Sequence, residues 1–202
     1  MTDLGLATEA DMVLAFIKAE VDSVRFGALY QNCFDQLKPY GFDRGALVDG
    51  ADIHSAQQNA VRKEILKAIR GYGANQFLFI RFPTNVTWRR LALEQMDLCK
   101  LKYANCPPWV ELSNNTRLVT EGAKNLGPDT PAKDDAANIR AVADDLKRGR
   151  RYPELIGVDD PNGHIILMEG HTRATAYVLA KLPERVECIV GSSPTMNNWA
   201  FY

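Results

Sequence analysis

The sequence predicts an α/β fold of the α+β kind: one small mixed sheet with flanking helices, elaborated at its N-terminal side by further helices. Three observations predict it. Residues 8–22, 23–37 and 52–69 carry apolar side chains at helical spacing. Residues 155–158 and 164–168 are short apolar runs joined by the turn signal Asp159-Asp160-Pro161-Asn162-Gly163. A further helical stretch, 172–181, separates that hairpin from a last apolar run at 186–190. With 202 residues, 46% of them hydrophobic, the chain can bury such a core without disulfides or a structural metal.

Taken in order, Thr8 with Asp11 three positions on is expected to cap the first helix, whose stripe is Val13, Leu14, Ile17 and Val21. Ser23 offers a cap to the second, which ends near Pro39 and Gly41; residues 40–50, with three glycines, read as a loop. Asp52 is expected to cap the third, with Ile53, Ala56, Ala60, Ile65, Leu66 and Ile69 inward and Arg62, Lys63, Glu64 and Lys67 outward. Gly71 and Gly73 stop it. Residues 76–82, rich in aromatic and branched side chains before Pro83, read as a strand.

Residues 86–93 read as a second strand with a short helix or turn around 94–98. Pro107-Pro108 is expected to break the chain before an irregular segment reaching Asn114-Asn115, and Gly127-Pro128 and Pro131 mark another loop. Asp135 caps a helix carrying Ile139, Val142, Ala143 and Leu146 to Gly149. The organisation expected is a helical extension over 1–82 packed on a domain over 83–202.

Charge and cysteines narrow the function classes. With 24 basic and 25 acidic residues, net −1, the chain is not a strongly basic, sequence-tolerant nucleic-acid binder. Cys33, Cys99, Cys106 and Cys188 form no CxxC pair and no zinc spacing, which suits reduced thiols in a cytoplasm. The start, Met1-Thr2-Asp3-Leu4, opens no signal peptide, and no apolar run approaches a bilayer span. A cytoplasmic protein without a membrane partner is expected.

The chemistry concentrates in one segment, Ile165-Ile166-Leu167-Met168-Glu169-Gly170-His171-Thr172-Arg173-Ala174-Thr175-Ala176-Tyr177. A glycine turn leads from a strand into a helix start, whose free N–H groups and dipole favour an anion. Arg173 offers a planar fork for phosphate, and His171 and Thr172 offer further donors. The plainer alternative is a helix start whose His and Arg satisfy local carbonyls. His54 and His164 read as structural, and no metal ligand set is assigned.

The order helix (136–148), strand (155–158), strand (164–168), Gly-His-Thr-Arg, helix and strand (186–190) resembles the ParB/sulfiredoxin-like superfamily over roughly residues 86–191. Glu169-Gly170-His171-Thr172-Arg173 is most similar to the branch holding ParB-like nucleases and kinases of free small molecules such as serine. Sulfiredoxins carry a cysteine where His171 stands. The chromosome-partition ParB proteins carry Glu-Arg-Arg after the glycine and continue into a helix-turn-helix domain, neither of which is seen here. The resemblance implies a bound nucleotide or phosphorylated small molecule, with Mg²⁺ and ATP, ADP or CTP as cofactors.

By the same resemblance Glu169 and Arg173 would be catalytic, in phosphoryl transfer or nucleotide hydrolysis. Gly170, His171, Thr172 and Arg173 would cradle phosphates, with Arg117 and Asn115 closing from upstream as counterparts of an Asn/Arg segment in ParB proteins. A loop arginine pairing with a nearby carboxylate is the plainer reading of Arg117. The alternative function is a non-catalytic nucleotide-sensing or DNA-associated module in plasmid, phage or defence biology. Its candidate DNA contacts are Arg89-Arg90 and the run Lys147-Arg148-Gly149-Arg150-Arg151, although a basic helix end is expected from the dipole alone. The aromatic tail 193–202 is expected to dock on the protein; it or the N-terminal helices could also serve a homo-oligomer interface.

Overall fold

The computed structural model describes residues 1–127, 133–181 and 185–202, with the side chains of 133–135 left aside. It is a mixed α+β domain built on one six-stranded sheet. The strands are β1 (Thr2–Ala7), β2 (Thr87–Leu93), β3 (Leu101–Lys102), β4 (Leu155–Asp159), β5 (Ile165–Glu169) and β6 (Val186–Ser192). The helices are α1 (Glu9–Glu20), α2 (Gly27–Leu37), α3 (Ala56–Arg70), α4 (Pro107–Leu112), α5 (Val119–Lys124), α6 (Lys133–Lys147) and α7 (His171–Ala180). The spatial order is β1-β2-β6-β4-β5-β3. β6 runs antiparallel to β2 and parallel to β4, β4 and β5 form the expected antiparallel hairpin, and β3 adds a short parallel edge to β5.

Period-two alternation distributes the strand side chains between two cores. Trp88, Ile156, Ile166, Met168 and Ile189 face one way, against Met12, Phe16 and Ile17 of α1, Tyr30 and Phe34 of α2, and Ile65 and Leu66 of α3. Leu91, Leu93, Leu167, Cys188 and Val190 face the other way, where Tyr103, Val119 of α5 and Ala174 of α7 cover them. α6 then packs its Ile139, Val142, Ala143 and Leu146 stripe on Ala176 of α7.

Several elements match the expectation closely. Thr8 and Asp11 form the capping box: Asp11 N–H donates to Thr8 Oγ1 at 3.1 Å, and Thr8 N–H to Asp11 Oδ2 at 2.8 Å. Strands β2, β4, β5 and β6 and helices α6 and α7 lie where the patterning puts them. The tail is docked: Trp199 is buried and its Nε1–H donates to Leu78 O at 2.7 Å.

Other elements differ, for identifiable reasons. Residues 76–82 form no strand but a 3-10 turn, Phe77–Phe79, whose first residue has φ +48° and after which Arg81 has φ +55°. The carbonyls of Leu78 and Ile80 instead serve the tail, through Trp199 and Ala200. β1 occupies residues to which the sequence assigned no element; it is an edge strand with a bulge at Gly5 and its Leu4 and Leu6 exposed. Pro107 and Pro108 begin a helix instead of breaking the chain, since proline at the first helical positions loses no intrahelical bond.

The loop expected over 40–50 contains a π-helical turn, Gly45–Asp49. Ser55, not Asp52, caps α3, accepting from Gln58 N–H at 3.3 Å, while Asp52 closes a turn on His54 N–H. Arg62, expected outward, is fully buried; its Nη atoms donate to Leu47 O, Asp52 O, Gln58 Oε1 and Asn59 Oδ1. Ala56 and Ala60, expected inward, are exposed. α6 begins at Lys133, ahead of Asp135. The expected loop at 128–132 lies outside the described residues.

Candidate functional site

β5 delivers the chain to Gly170, and α7 carries it away. Gly170 has φ +96°, and a Cβ there would lie 2.5 Å from Leu155 Cδ2 and 3.2 Å from Arg173 Nη2, so the turn requires glycine on both counts. The first α7 N–H to find a carbonyl is that of Ala174, which donates to Gly170 O at 2.7 Å. Those of His171, Thr172 and Arg173, as the opening turn, have no carbonyl behind them in the helix. Thr172 is partly exposed beside them.

Arg173 does not project from this opening. It is 6% exposed, and its Nη1 donates to Pro153 O and Glu154 O while Nη2 pairs with Glu169. The guanidinium locks the turn to the β4 approach, and it already occupies one Glu169 oxygen. His171 turns Nε2 inward as an acceptor and keeps Nδ1–H as its one donor. Its ring packs against both Trp109 and Tyr103, at centroid distances of 5.2 and 5.9 Å, in a three-ring cluster in which those two also meet at 4.8 Å, and Nε2 accepts from Ala104 N–H at 3.1 Å. Burial, and then the nearby Arg70, Arg117 and Arg173 charges, push the imidazole down to about 3, so it is neutral with its proton on Nδ1.

Arg117 comes to the same place from the turn after α4. Its φ is +61°; Nε donates to Tyr103 O at 2.9 Å, Nη1 to the main-chain oxygen of Tyr202 at 2.9 Å, and Nη2 to that of Phe201 at 3.4 Å. The guanidinium is thus held by main-chain oxygens, without a side-chain carboxylate bonded to it among the described residues. Asn115 lies two residues earlier in the same turn, at φ +65°, but its side chain is exposed and no contact ties it to α7.

Three further residues belong to this neighbourhood. Glu20, the last residue of α1, is 3% exposed; Tyr30 Oη–H donates to its Oε2 at 3.0 Å, and Arg70 Nε lies 3.5 Å from Oε1. Arg70, closing α3, rests on the Phe26 ring at 4.3 Å and near Phe16 at 5.8 Å, its buried Nε without a hydrogen-bond partner. Arg25 lies 5.0 Å from the Phe26 centroid and is exposed. Burial raises the Glu20 carboxyl to about 7; Arg70 opposes the rise and the Glu169 charge adds to it. Burial also raises the Cys106 thiol, against the combined pull of Arg117, Arg70 and Arg25. The Arg70 and Arg117 charges thus reach both Cys106 and His171, while that of Arg25 reaches Cys106.

The sequence held a signal for Glu20, which stands three residues beyond Ile17 on an otherwise apolar stripe. It held none for Arg70, since a basic residue ending a helix is what the dipole asks for. The basic positions proposed for DNA are largely ion-paired: Arg89 with Asp159, Arg90 with Glu154, Lys147 with Asp144, and Arg148 and Arg150 with Asp145. Arg151 is exposed.

No family model, curated protein or solved structure matches this chain. Among the described residues no three His, Cys, Asp or Glu side chains gather as a metal-binding group, and no helix is long and apolar enough to cross a membrane.

Proposed function

We propose that the α7 opening binds a phosphate-bearing ligand, a nucleotide by class, in a fold of the ParB/sulfiredoxin-like kind, and that the bound ligand undergoes phosphoryl transfer or hydrolysis. The observation that carries the reading is the glycine-led opening of α7, where the N–H groups of His171, Thr172 and Arg173 have no helical carbonyl behind them and the Arg70 and Arg117 charges act on His171. Oxygens of Tyr103, Phe201 and Tyr202 hold Arg117, and Glu20 faces Arg70, so both guanidinium groups are fixed in place where an anion would meet them. The element order around Glu169-Gly170-His171-Thr172-Arg173 supports the fold assignment.

In this reading the N–H groups of His171, Thr172 and Arg173, with the Thr172 hydroxyl, hold the phosphate, and Arg70 and Arg117 stabilise its charge. Arg173 acts by fixing Gly170 and Glu169. Glu169, with one oxygen left by Arg173, orients the acceptor or holds Mg²⁺. Glu20, titrating near neutrality, is suited to take a proton from the attacking hydroxyl or water. Nothing favours the DNA-associated alternative over it, because Arg148 and Arg150 are spent on Asp145.

Thermal melts with ATP, ADP, CTP, GTP and pyrophosphate, with and without Mg²⁺, test the reading on the wild type and on Thr172→Asp. An acidic residue in the first turn supports the helix by up to about 1 kcal/mol but repels an anion there. The expected result is a ligand-dependent rise in melting temperature that vanishes in Thr172→Asp, while the ligand-free variant melts at or above the wild type. A rise of equal size in both proteins, or none with any ligand, sinks the proposal.

A further inference from the structure

A separate cleft of about 530 Å³ opens at the Glu9 end of α1. Eleven residues of helix, roughly 16 Å along the axis, separate it from Glu20. Phe82 and the edge of Tyr72 give the cleft its aromatic surface, backed by the buried Phe79, whose ring centroid lies 4.8 Å from Tyr72 and 5.3 Å from Phe82. Its volume falls within the usual range for small-molecule sites, and a largely apolar wall with a few polar groups is their usual lining.

The loop that builds the cleft is held in an unusual shape. Asn75, Phe77 and Arg81 all have positive φ, at +53°, +48° and +55°, and Asn75 and Arg81 line the opening. Such backbone persists only where the surroundings over-determine it, and it collects at ligand sites. Here Arg81 N–H donates to Asn75 Oδ1, while Trp199 Nε1–H and Ala200 N–H clamp the carbonyls of Leu78 and Ile80 from the tail. At the other end Gly71, φ +82°, brings the chain so close that a Cβ would lie 2.1 Å from Gln76 O. The cleft is pre-organised.

Its charges define what would enter. Lys63 and Glu9 compensate each other: Glu9 Oε1 accepts from Lys63 Nζ at 2.8 Å and from Tyr72 Oη–H at 2.6 Å. Arg81 is exposed, and its guanidinium has no hydrogen-bond or ion-pair partner among the described residues; neither do the Asn198 amide and the Thr84 hydroxyl. One uncompensated cation, two neutral polar groups and an aromatic wall remain. We propose that this cleft binds a small aromatic carboxylate, its ring against Tyr72 and Phe82 and its carboxylate on the Arg81 fork.

The probe is 2-naphthoate, titrated by its fluorescence and by amide shifts in ¹H–¹⁵N spectra, against neutral 2-naphthalenemethanol. Saturable binding of 2-naphthoate is expected, with shifts at Gly73 and Thr84. Arg81→Gln, whose main-chain bond to Asn75 is unaffected, should weaken it about tenfold while leaving the neutral compound's affinity unchanged. Asn198→Tyr, which fills the mouth from an exposed position, should weaken both compounds. Thr172→Asp should change neither, so this site stands or falls independently of the α7 opening. No saturable binding, equal affinity in Arg81→Gln, or shifts confined to the α7 opening would overturn the proposal.

Discussion

At the α7 opening, burial raises the Glu20 carboxyl to about 7 and lowers the His171 imidazole to about 3, and the two shifts load stability with opposite signs. Unfolded, the carboxyl titrates at its ordinary 4.5 and the imidazole at 6.5. Between those values and the folded ones, native Glu20 keeps a proton that the unfolded chain has lost, so its contribution falls as pH rises from 4.5 to 7. His171 does the reverse: the unfolded chain gains a proton that the native ring refuses, so stability falls as pH drops from 6.5 toward 3. Over pH 4.5–6.5 the slopes oppose each other, and urea midpoints of the wild type should vary little. Glu20→Gln should expose the His171 slope, losing up to about 1.4 kcal/mol per unit as pH falls, and His171→Gln the opposite slope. Identical flat profiles in both variants would refute the assignment. Gly170→Ala, forced to φ +96° with Leu155 in its way, should lose about 1–3 kcal/mol in the same melts. At this scale the sequence exposed the turn, because glycine, polar residues and helix start are contiguous. Glu20 and Arg70 come from distant segments, and only the packing of α1 and α3 on the sheet brings their charges within reach of Glu169 and His171.

Among the elements, the tail is the one whose removal reaches furthest. Trp199 fills the core beside Phe82, whose ring centroid is 5.8 Å away, and donates to Leu78 O, while Phe201 and Tyr202 supply oxygens to Arg117. Trp199→Ala should cost about 3–5 kcal/mol by chemical denaturation. It should also loosen the 76–82 loop, read as faster amide exchange there; unchanged exchange would mean the clamp is not what holds that loop. The docking of the tail was readable from its aromatic content, but its consequence for 76–82 was not. Phe77-Leu78-Phe79-Ile80 has the composition of a strand, and only the competing demand of Trp199 and Ala200 for its carbonyls explains why it is not one. β1 escaped notice for a complementary reason. An edge strand with Gly5 in a bulge and Leu4 and Leu6 facing solvent carries no inside–outside alternation to detect.

At the scale of the molecule, both faces of the sheet are apolar, and each needs its own helical layer. A fragment of residues 84–202 would leave Ile156, Val158, Ile166, Met168 and Ile189 facing water where α1, α2 and α3 now cover them. It should bind a dye for exposed apolar surface and show no cooperative melt; a sharp transition would contradict the two-core account. The strand order has a further consequence, in time. β6 lies between β2 and β4, so without it the sheet is two separate pieces, β1-β2 and β4-β5-β3. Yet β6 is the last strand along the chain, and its partner β2 stands roughly a hundred residues before it. A ribosome would release both pieces before the strand that unites them, and each would wait half-covered until it arrived. Folding of this chain should therefore be gated by a late, long-range pairing and be slow for its size.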